Sequence, residues 1–381
     1  LWFAQSIYPQ GWSLPPVWDA IAGDYQTADG WIKLHTNAPP HRDAVLQVLG
    51  VAADREHVAN SVRLYDKNEL ETDIVDAGGA AAAMRDAEAW AIREPGKAVT
   101  AEPLIAWSAK SAPQRRSHIL APERPLSGIR VLDLTRVLAG PVATRTLAGF
   151  GADVLRIDPP VWDEPNVVAD ISLGKRCARL DLTAEKDRKT FEGLLAKADI
   201  LVHGYRNGAL DGLGFDEQHR RDIAPHLLDI ALNAYGWTGP WTRRRGFDSL
   251  VQMSCGIAQA GMDWALTDKP TPLPVQALDH ATGYLMAAAA IKLLTGQIRG
   301  DGPASARLSL ARTANVLIAY EQDSDGANAL DACDNDFQPD IEATPWGPAR
   351  RLKPPLDIAG TPMRWALPAC ELGSGRPAWD T

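Results

Sequence analysis

Ile129-Arg-Val-Leu-Asp-Leu134, then Gly140-Pro141, Gly151 and Asp153-Val-Leu-Arg-Ile157, form the passage on which the fold turns. The first run reads as a buried strand. Gly140-Pro141 opens a helix with proline at its first position, where the missing N–H costs nothing, and Gly151 stops it. The second apolar run is another strand, so the passage is a βαβ unit. The alternation continues with a strand over Ala178 to Leu182, a charged helix over Ala184 to Ala198, a strand over Asp199 to His203, a short helix after Asp216 and a strand over His226 to Asn233. Strands alternating with helices imply an α/β fold, a Rossmann-like parallel sheet covered on both faces.

Outward from this block, 381 residues exceed one typical domain. Residues 1 to 120 read as a smaller α+β domain, residues 121 to 322 as the large α/β domain, and residues 323 to 381 as an extension returning to it. In the first, Asp29-Gly30 turns into the strand Trp31-Ile-Lys-Leu-His35, His41 to Leu49 has helical spacing, and Gly79 to Trp90, through its alanine run, is predicted as a second helix. Ser111-Ala-Pro-Gln-Arg-Arg-Ser and the prolines at 122 and 125 look like a linker. Near the end, Ala306 to Tyr320 reads as strand and helix, Asp323 to Asp340 as an acidic loop, and the rest as a proline-rich tail.

Pro274-Val-Gln-Ala-Leu-Asp279 leads into Ala, Leu and Met as far as Leu294, a composition that favours a buried helix. Asp279 is expected at its N-cap, held ionised by free N–H groups and the positive helix end. Taken alone, that is a structural cap first and a nucleophile second.

Composition narrows the class. A formal charge of −9 argues against general nucleic-acid binding, and no run of about 18 apolar residues suggests a membrane span. Four scattered cysteines without a CxxC pair fit a reducing compartment, so the cytoplasm is expected. The start at Leu1 rather than Met suggests a missing natural N-terminus, and it lacks the basic flank of a signal peptide. After the first strand the chain reads Asp133-Leu-Thr-Arg-Val-Leu-Ala-Gly-Pro141, with no GxGxxG, so nicotinamide binding finds no support even though Asp158 imitates a ribose-binding acid. No GxSxG or HExxH occurs and the histidines are dispersed, so no metal is expected. Basic residues at Lys175-Arg176, Arg206 and Arg243-Arg-Arg245 follow predicted strand ends, where open parallel sheets bind ligands; a phosphate-bearing ligand fits them.

In order, Pro125-Leu-Ser-Gly-Ile-Arg-Val-Leu-Asp-Leu-Thr-Arg-Val-Leu-Ala-Gly-Pro141, Leu147 to Asp158, Gly174-Lys-Arg-Cys-Ala-Arg-Leu-Asp-Leu182, Ala198 to Leu210, Gly246-Phe-Asp248 and the Asp279 helix resemble the class III CoA-transferases, the CaiB/BaiF group of formyl-CoA transferase and α-methylacyl-CoA racemase. The resemblance covers roughly residues 125 to 320. It implies CoA or acyl-CoA as substrate, a small carboxylic acid as acceptor, Asp279 as catalytic residue, and Lys175, Arg176, Tyr205 and Arg206 along the CoA site with Arg136 and Leu138 near its floor. It also implies a homodimer, interlocked if the threading allows. Two departures stand out. Asp24-Tyr-Gln-Thr-Ala-Asp-Gly-Trp-Ile32 and Glu102-Pro-Leu-Ile105 look like small-domain sequence placed ahead of the large domain, as in a permuted or fused chain, while Leu356 to Arg364 resembles the family's closing strand. Pro159-Pro160 stands where many relatives carry an arginine that contacts CoA.

The implied reaction is CoA transfer through an aspartyl anhydride and an aspartyl-CoA thioester, the N–H groups of the helix end serving the oxyanion. Racemisation is the first alternative, but Phe247 stands where the racemase branch has histidine and cannot carry a proton. His280 reads as structural, since successive helix side chains diverge. A non-catalytic CoA-binding subunit is the other alternative.

Overall fold

The computed structural model describes residues 1–108, 121–320 and 331–379; the expected linker at 111–117 lies outside them. Along the chain come β1 (Ile7–Pro9), β2 (Gly23–Gln26), β3 (Trp31–Leu34), helices α1 (Pro39–Leu49), α2 (Arg55–Val62) and α3 (Lys67–Asp76), β4 (Ala81–Ala83), α4 (Ala87–Ile92), α5 (Glu94–Ala101) and β5 (Ala106–Trp107). Then follow β6 (Arg130–Leu134), α6 (Ala139–Gly149), β7 (Asp153–Asp158), α7 (Val168–Ile171), β8 (Lys175–Arg179), α8 (Glu185–Leu195), β9 (Ile200–His203), α9 (Ala209–Gly212), α10 (Glu217–Ile223) and β10 (Leu228–Asn233). The chain continues through α11 (Asp248–Ser254), α12 (Ile257–Trp264), α13 (Ala277–Arg299), β11 (Ser305–Ser309), α14 (Leu310–Ala319), β12 (Phe337–Thr344) and β13 (Gly347–Leu352).

The large sheet has the order β5-β11-β10-β9-β6-β7-β8, parallel except for β5 at one edge. From β6 the chain runs outward through β7 and β8, then returns to the other side of β6 for β9, β10 and β11. The switch point therefore lies between the carboxyl ends of β6 and β9, where this architecture opens a crevice. Successive strand residues feed opposite faces: Val131, Val154 and Val202 pack with α6 and α13, and Leu132, Leu155 and Leu201 with α8 and α9. Each such side chain contributes roughly 1.5–3 kcal/mol by leaving water. Gly283 lets α13 approach α6 closely, because a Cβ there would stand 2.5 Å from the Ala139 carbonyl oxygen. Gly300, at φ 79°, ends α13 in the left-handed conformation that glycine adopts freely.

The N-terminal region builds a three-stranded antiparallel sheet, β2-β3-β4, under α1, α2 and α3 around Ile32, Leu34, Val45 and Leu70. Here the predicted helix over 79–90 is corrected: Ala81–Ala83 is a fully buried strand paired with β3, and a helix begins only at Ala87, capped by Asp86. Alanine's helix propensity loses to position, since small side chains let α3 and α11 press on both faces of β4. Two other pieces of residues 1–120 lie elsewhere. β1 pairs with β13, and β5 joins the large sheet beside β11. Arg244 fastens the two regions together by pairing with Glu71 at 2.9 Å, donating to the Ala81 carbonyl and lying 3.9 Å from the Trp241 ring centroid.

At the far end, Phe337–Thr344 is a strand of a hairpin rather than part of an acidic loop. Residues 353–379 contain no strand, so Leu356 to Arg364 does not supply a closing one. The tail instead crosses α6 and covers the β8 edge: Met363 packs in the core, Trp365 Nε1 donates to the Arg145 carbonyl, and the Gly375 N–H donates to the Cys177 carbonyl at 2.7 Å. Among the described residues no helix is long and apolar enough to cross a membrane.

Candidate active site

Beyond the carboxyl ends of β6, β9 and β10 lies a cavity of about 570 Å³. The loops after β6 and β9 bring Arg136, Tyr205 and Arg206 to it, α13 brings Asp279, and the start of α1 brings Ala38, Pro40 and His41. Four of the seven residues expected at the site thus share one cavity. Leu138 is the half-buried N-cap of α6, between the lining residues Val137 and Ala139.

Lys175 and Arg176 do not line it. β8 begins at Lys175, three residues ahead of the predicted strand, which puts both side chains at the amino end of a parallel strand rather than its carboxyl end. Lys175 is fully buried, with Nζ 3.0 Å from Asp133 Oδ2 and 3.0 Å from the Pro141 carbonyl oxygen. Burial alone would raise the Asp133 carboxyl, but Lys175, Arg156 and the hydroxyls of Thr135 and Thr144 hold it below its ordinary value. Arg176 donates to Asp153 at 2.6 Å and to the Ala378 carbonyl at 2.7 Å. Lys175 is a core counter-ion, and Arg176 ties the tail to the sheet.

The loop after β6 is held under strain. Val137 has φ 64°, a conformation unfavourable to a β-branched side chain. Its N–H donates to Glu164 Oε2 at 2.9 Å, and Glu164 is ion-paired with buried Arg156, which also binds Asp158 through two hydrogen bonds of 2.8 and 3.0 Å. Asp158 is therefore part of this buried network and is not a ribose ligand. After Pro159-Pro160, Arg179 donates to the carbonyls of Pro159, Pro160 and Trp162, placing Trp162 on the cavity wall. The Arg136 guanidinium lies 4.6 Å from the Trp162 ring centroid and 5.3 Å from that of Tyr205. That is a flat cationic and aromatic surface suited to a purine or an anion. Arg206 and Arg245, which also line the cavity, make no ion pair among the described residues.

Asp279 is the third residue of α13, and Gln276 is the N-cap, which corrects the expected N-cap position. Asp248 caps this helix end from outside: its Oδ2 accepts the Asp279 N–H at 2.9 Å, and Gln252 steadies it by donating to Oδ1 at 2.5 Å. The Asp279 amide is thus already engaged and is not one of the free helix-end N–H groups expected to serve the oxyanion. Asp279 is 6% exposed, and no donor among the described residues reaches its carboxylate. Burial and then the nearby Asp248 charge push its carboxyl well above the usual range, while burial pushes Asp248 up to about 6.

Phe247 stacks on His35, with ring centroids 3.8 Å apart, and meets His41 edge-on at 5.8 Å. Burial, Arg245 and Arg206 bring His41 down to about 4, so it is neutral at physiological pH. His280 stacks on Phe3 at 4.6 Å away from the cavity lining, as expected of a structural residue. Sequence reasoning named neither His41, Trp162 nor Arg245 individually as site residues. The Arg243-Arg-Arg245 cluster was a signal for the last; His41 lies too far from Asp279 in the chain for spacing to connect them.

The profile described as CoA-transferase family III matches residues 126–329, just over half of the chain. The acetyl-coenzyme A transferase nodX of Hypoxylon pulicicidum is 29% identical over 315 residues, 74% of this chain and 51% of that protein. The human succinyl-CoA:glutarate CoA-transferase is 30% identical over 198 residues, covering 46% and 43%. The crystal structure of Rv3272 from M. tuberculosis aligns at 30% identity and a TM-score of 0.47 over 52% of this chain and 58% of that one. The chain spans about half the length of the curated relatives it matches.

Proposed function

The chain belongs to CoA-transferase family III, and from that membership we propose that it moves CoA from an acyl-CoA donor to a small carboxylic acid, with Asp279 as the nucleophile. The observation that carries this reading is the place of Asp279 on the lining of the switch-point cavity shared with Arg136, Tyr205 and Arg206.

In this reading one Asp279 oxygen attacks the thioester carbonyl, the C–S bond breaks, and CoA leaves as the thiolate, giving a mixed anhydride. The thiolate then attacks the aspartyl carbonyl and expels the donor's carboxylate, leaving an aspartyl-CoA thioester. The acceptor carboxylate attacks that thioester, CoA leaves again, and thiolate attack on the acceptor acyl carbonyl of the new anhydride regenerates the Asp279 carboxylate. Holding both carbonyls against one carboxylate supplies proximity, and a donor on each tetrahedral oxyanion contributes about 3 kcal/mol. Arg206 and Arg245 suit the CoA phosphates, and the face made by Arg136, Trp162 and Tyr205 suits adenine.

Racemisation has less support, because Phe247 is packed against His35 where a proton carrier would stand. Dimerisation remains part of the proposal, although the cavity wall at residues 38–41 comes from this same chain. The test is Asp279→Ala: CoA transfer is abolished while CoA binding, measured by calorimetry, persists. Full transfer activity in that variant removes Asp279 from the mechanism. With a chiral 2-methylacyl-CoA in deuterated water and no acceptor, α-deuterium incorporation would favour racemisation.

A further inference from the structure

We propose that His41, delivered by the N-terminal region, is a second catalytic residue, its imidazole N–H donating to the acyl oxygen on which negative charge develops when Asp279 attacks. The inference rests on the transferase reading and goes beyond it, because the helix-end amide that could have served the oxyanion is taken. The N–H groups of this helix end are all engaged, Ala277 with the Val275 carbonyl, Leu278 and Asp279 with Asp248, and His280 with the Gln276 carbonyl, which leaves the role to a donor elsewhere on the cavity wall.

The other neutral side chains there are mostly committed. Thr135 donates its hydroxyl to Asp133 at 2.5 Å, and Asn233 closes a turn with Gly236 through both its amide groups. His41 is different. It is 9% exposed, its Nδ1 is shut off from the cavity without a partner, and Nε2 makes no hydrogen bond among the described residues, so Nε2–H is the group it can offer a ligand. Its place is fixed nonetheless. Pro39 and Pro40 start α1 directly before it, and its ring rests edge-on against Phe247, the residue preceding Asp248.

The groups facing His41 suit a neutral donor. Burial, then Arg245 and Arg206, disfavour the imidazolium, His35 lies close by and is itself held neutral, and no carboxylate pairs with the ring among the described residues. A neutral imidazole has one N–H to give and does not form a static ion pair with the Asp279 carboxylate. It strengthens its bond as the carbonyl oxygen gains charge, which is the differential binding that accelerates a step.

The test compares His41→Phe, which keeps an aromatic ring without a donor, with His41→Gln, which restores an N–H. In acyl-CoA to carboxylate transfer, His41→Phe is expected to lower kcat about 100-fold while the Kd for CoA changes less than about threefold, and His41→Gln to recover roughly tenfold. A His41→Phe enzyme within about threefold of the parent kcat overturns the proposal, as does a loss carried wholly by CoA binding. On the unmodified protein, the imidazole ¹⁵N resonances of His41 are followed as a thioether analogue of acetyl-CoA with a ketone and no leaving group is added. A shift confined to one ring nitrogen supports the contact. Binding without a shift overturns the His41 role and leaves the Asp279 reading standing. A shift in a protein that transfers no CoA keeps the His41 contact and sinks the transferase reading, and failure to bind the analogue sinks both.

Discussion

The Asp248 carboxylate accepts the backbone N–H of Asp279 at 2.9 Å, so the residue that opens onto the cavity is itself capped by a second acid. Both acids are buried, and each feels burial as the largest influence on its titration. Asp248 has hydrogen bonds to steady its charge and Asp279 has none, so Asp279 is the poorer holder of a negative charge and the better nucleophile once ionised.

Replacing Asp248 by Asn keeps an oxygen for the Asp279 N–H while removing the neighbouring charge. The acidic limb of the pH profile of kcat/KM is expected to move to lower pH, because Asp279 then ionises without repulsion. Rates measured from pH 4.5 to 8.5 check this; a limb that stays put would separate Asp248 from the ionisation of Asp279.

The same repulsion has a consequence for stability. A carboxyl raised in the folded state binds its proton more tightly there than in the unfolded chain. Its contribution is therefore most favourable below the unfolded carboxylate value near 4, and stability falls as pH rises through the folded values, about 6 for Asp248 and also raised for Asp279. Asp279→Asn is thus expected to unfold at a higher temperature than the parent at pH 7.5, by roughly 1–3 °C, with the gain shrinking toward pH 5. Scanning calorimetry at the two pH values reads the difference directly.

Lys175 and Arg206 are both basic but are predicted to fail in opposite ways. Lys175→Met leaves buried Asp133 without its cation and should cost about 3–5 kcal/mol of stability. Arg206→Ala removes an exposed cavity-wall cation and should leave the unfolding midpoint unchanged while weakening CoA about tenfold at low salt, less at high salt. Denaturant melts and CoA titrations on the two variants would expose a reversal of these roles.

Val137→Gly releases a left-handed backbone strain of roughly 1–2 kcal/mol. Unlike most truncations of a partly buried valine, it is expected to leave the unfolding midpoint level or raised, while kcat falls because the loop carrying Arg136 loosens. A fall in midpoint of several degrees would contradict the strain.

The sheet was legible because strands covered on both faces must be continuously apolar, and Val131-Leu132, Val154-Leu155 and Leu201-Val202 are. The helix that brings Asp279 to the cavity was legible from its apolar run behind a single acid. Other parts depended on tertiary partners that no local pattern carries. The run Ala80 to Ala83 has helical propensity and becomes a strand only because β3 lies beside it. Lys175 looks like a phosphate ligand until Asp133, far upstream, is seen to claim it. The cap on α13 comes from Asp248 across a long connection, and the wall at His41 comes from a region whose place against the sheet depends on contacts such as Arg244 with Glu71.

Peptide mass spectrometry after hydroxylamine trapping looks for the acyl-Asp279 intermediate itself. The protein is exposed in turn to a panel of acyl-CoAs, quenched with hydroxylamine and digested. The predicted result is a hydroxamate on Asp279 alone, dependent on acyl-CoA. Turnover of an acyl-CoA with Asp279 unmodified, or a label fixed on another carboxylate, would contradict it.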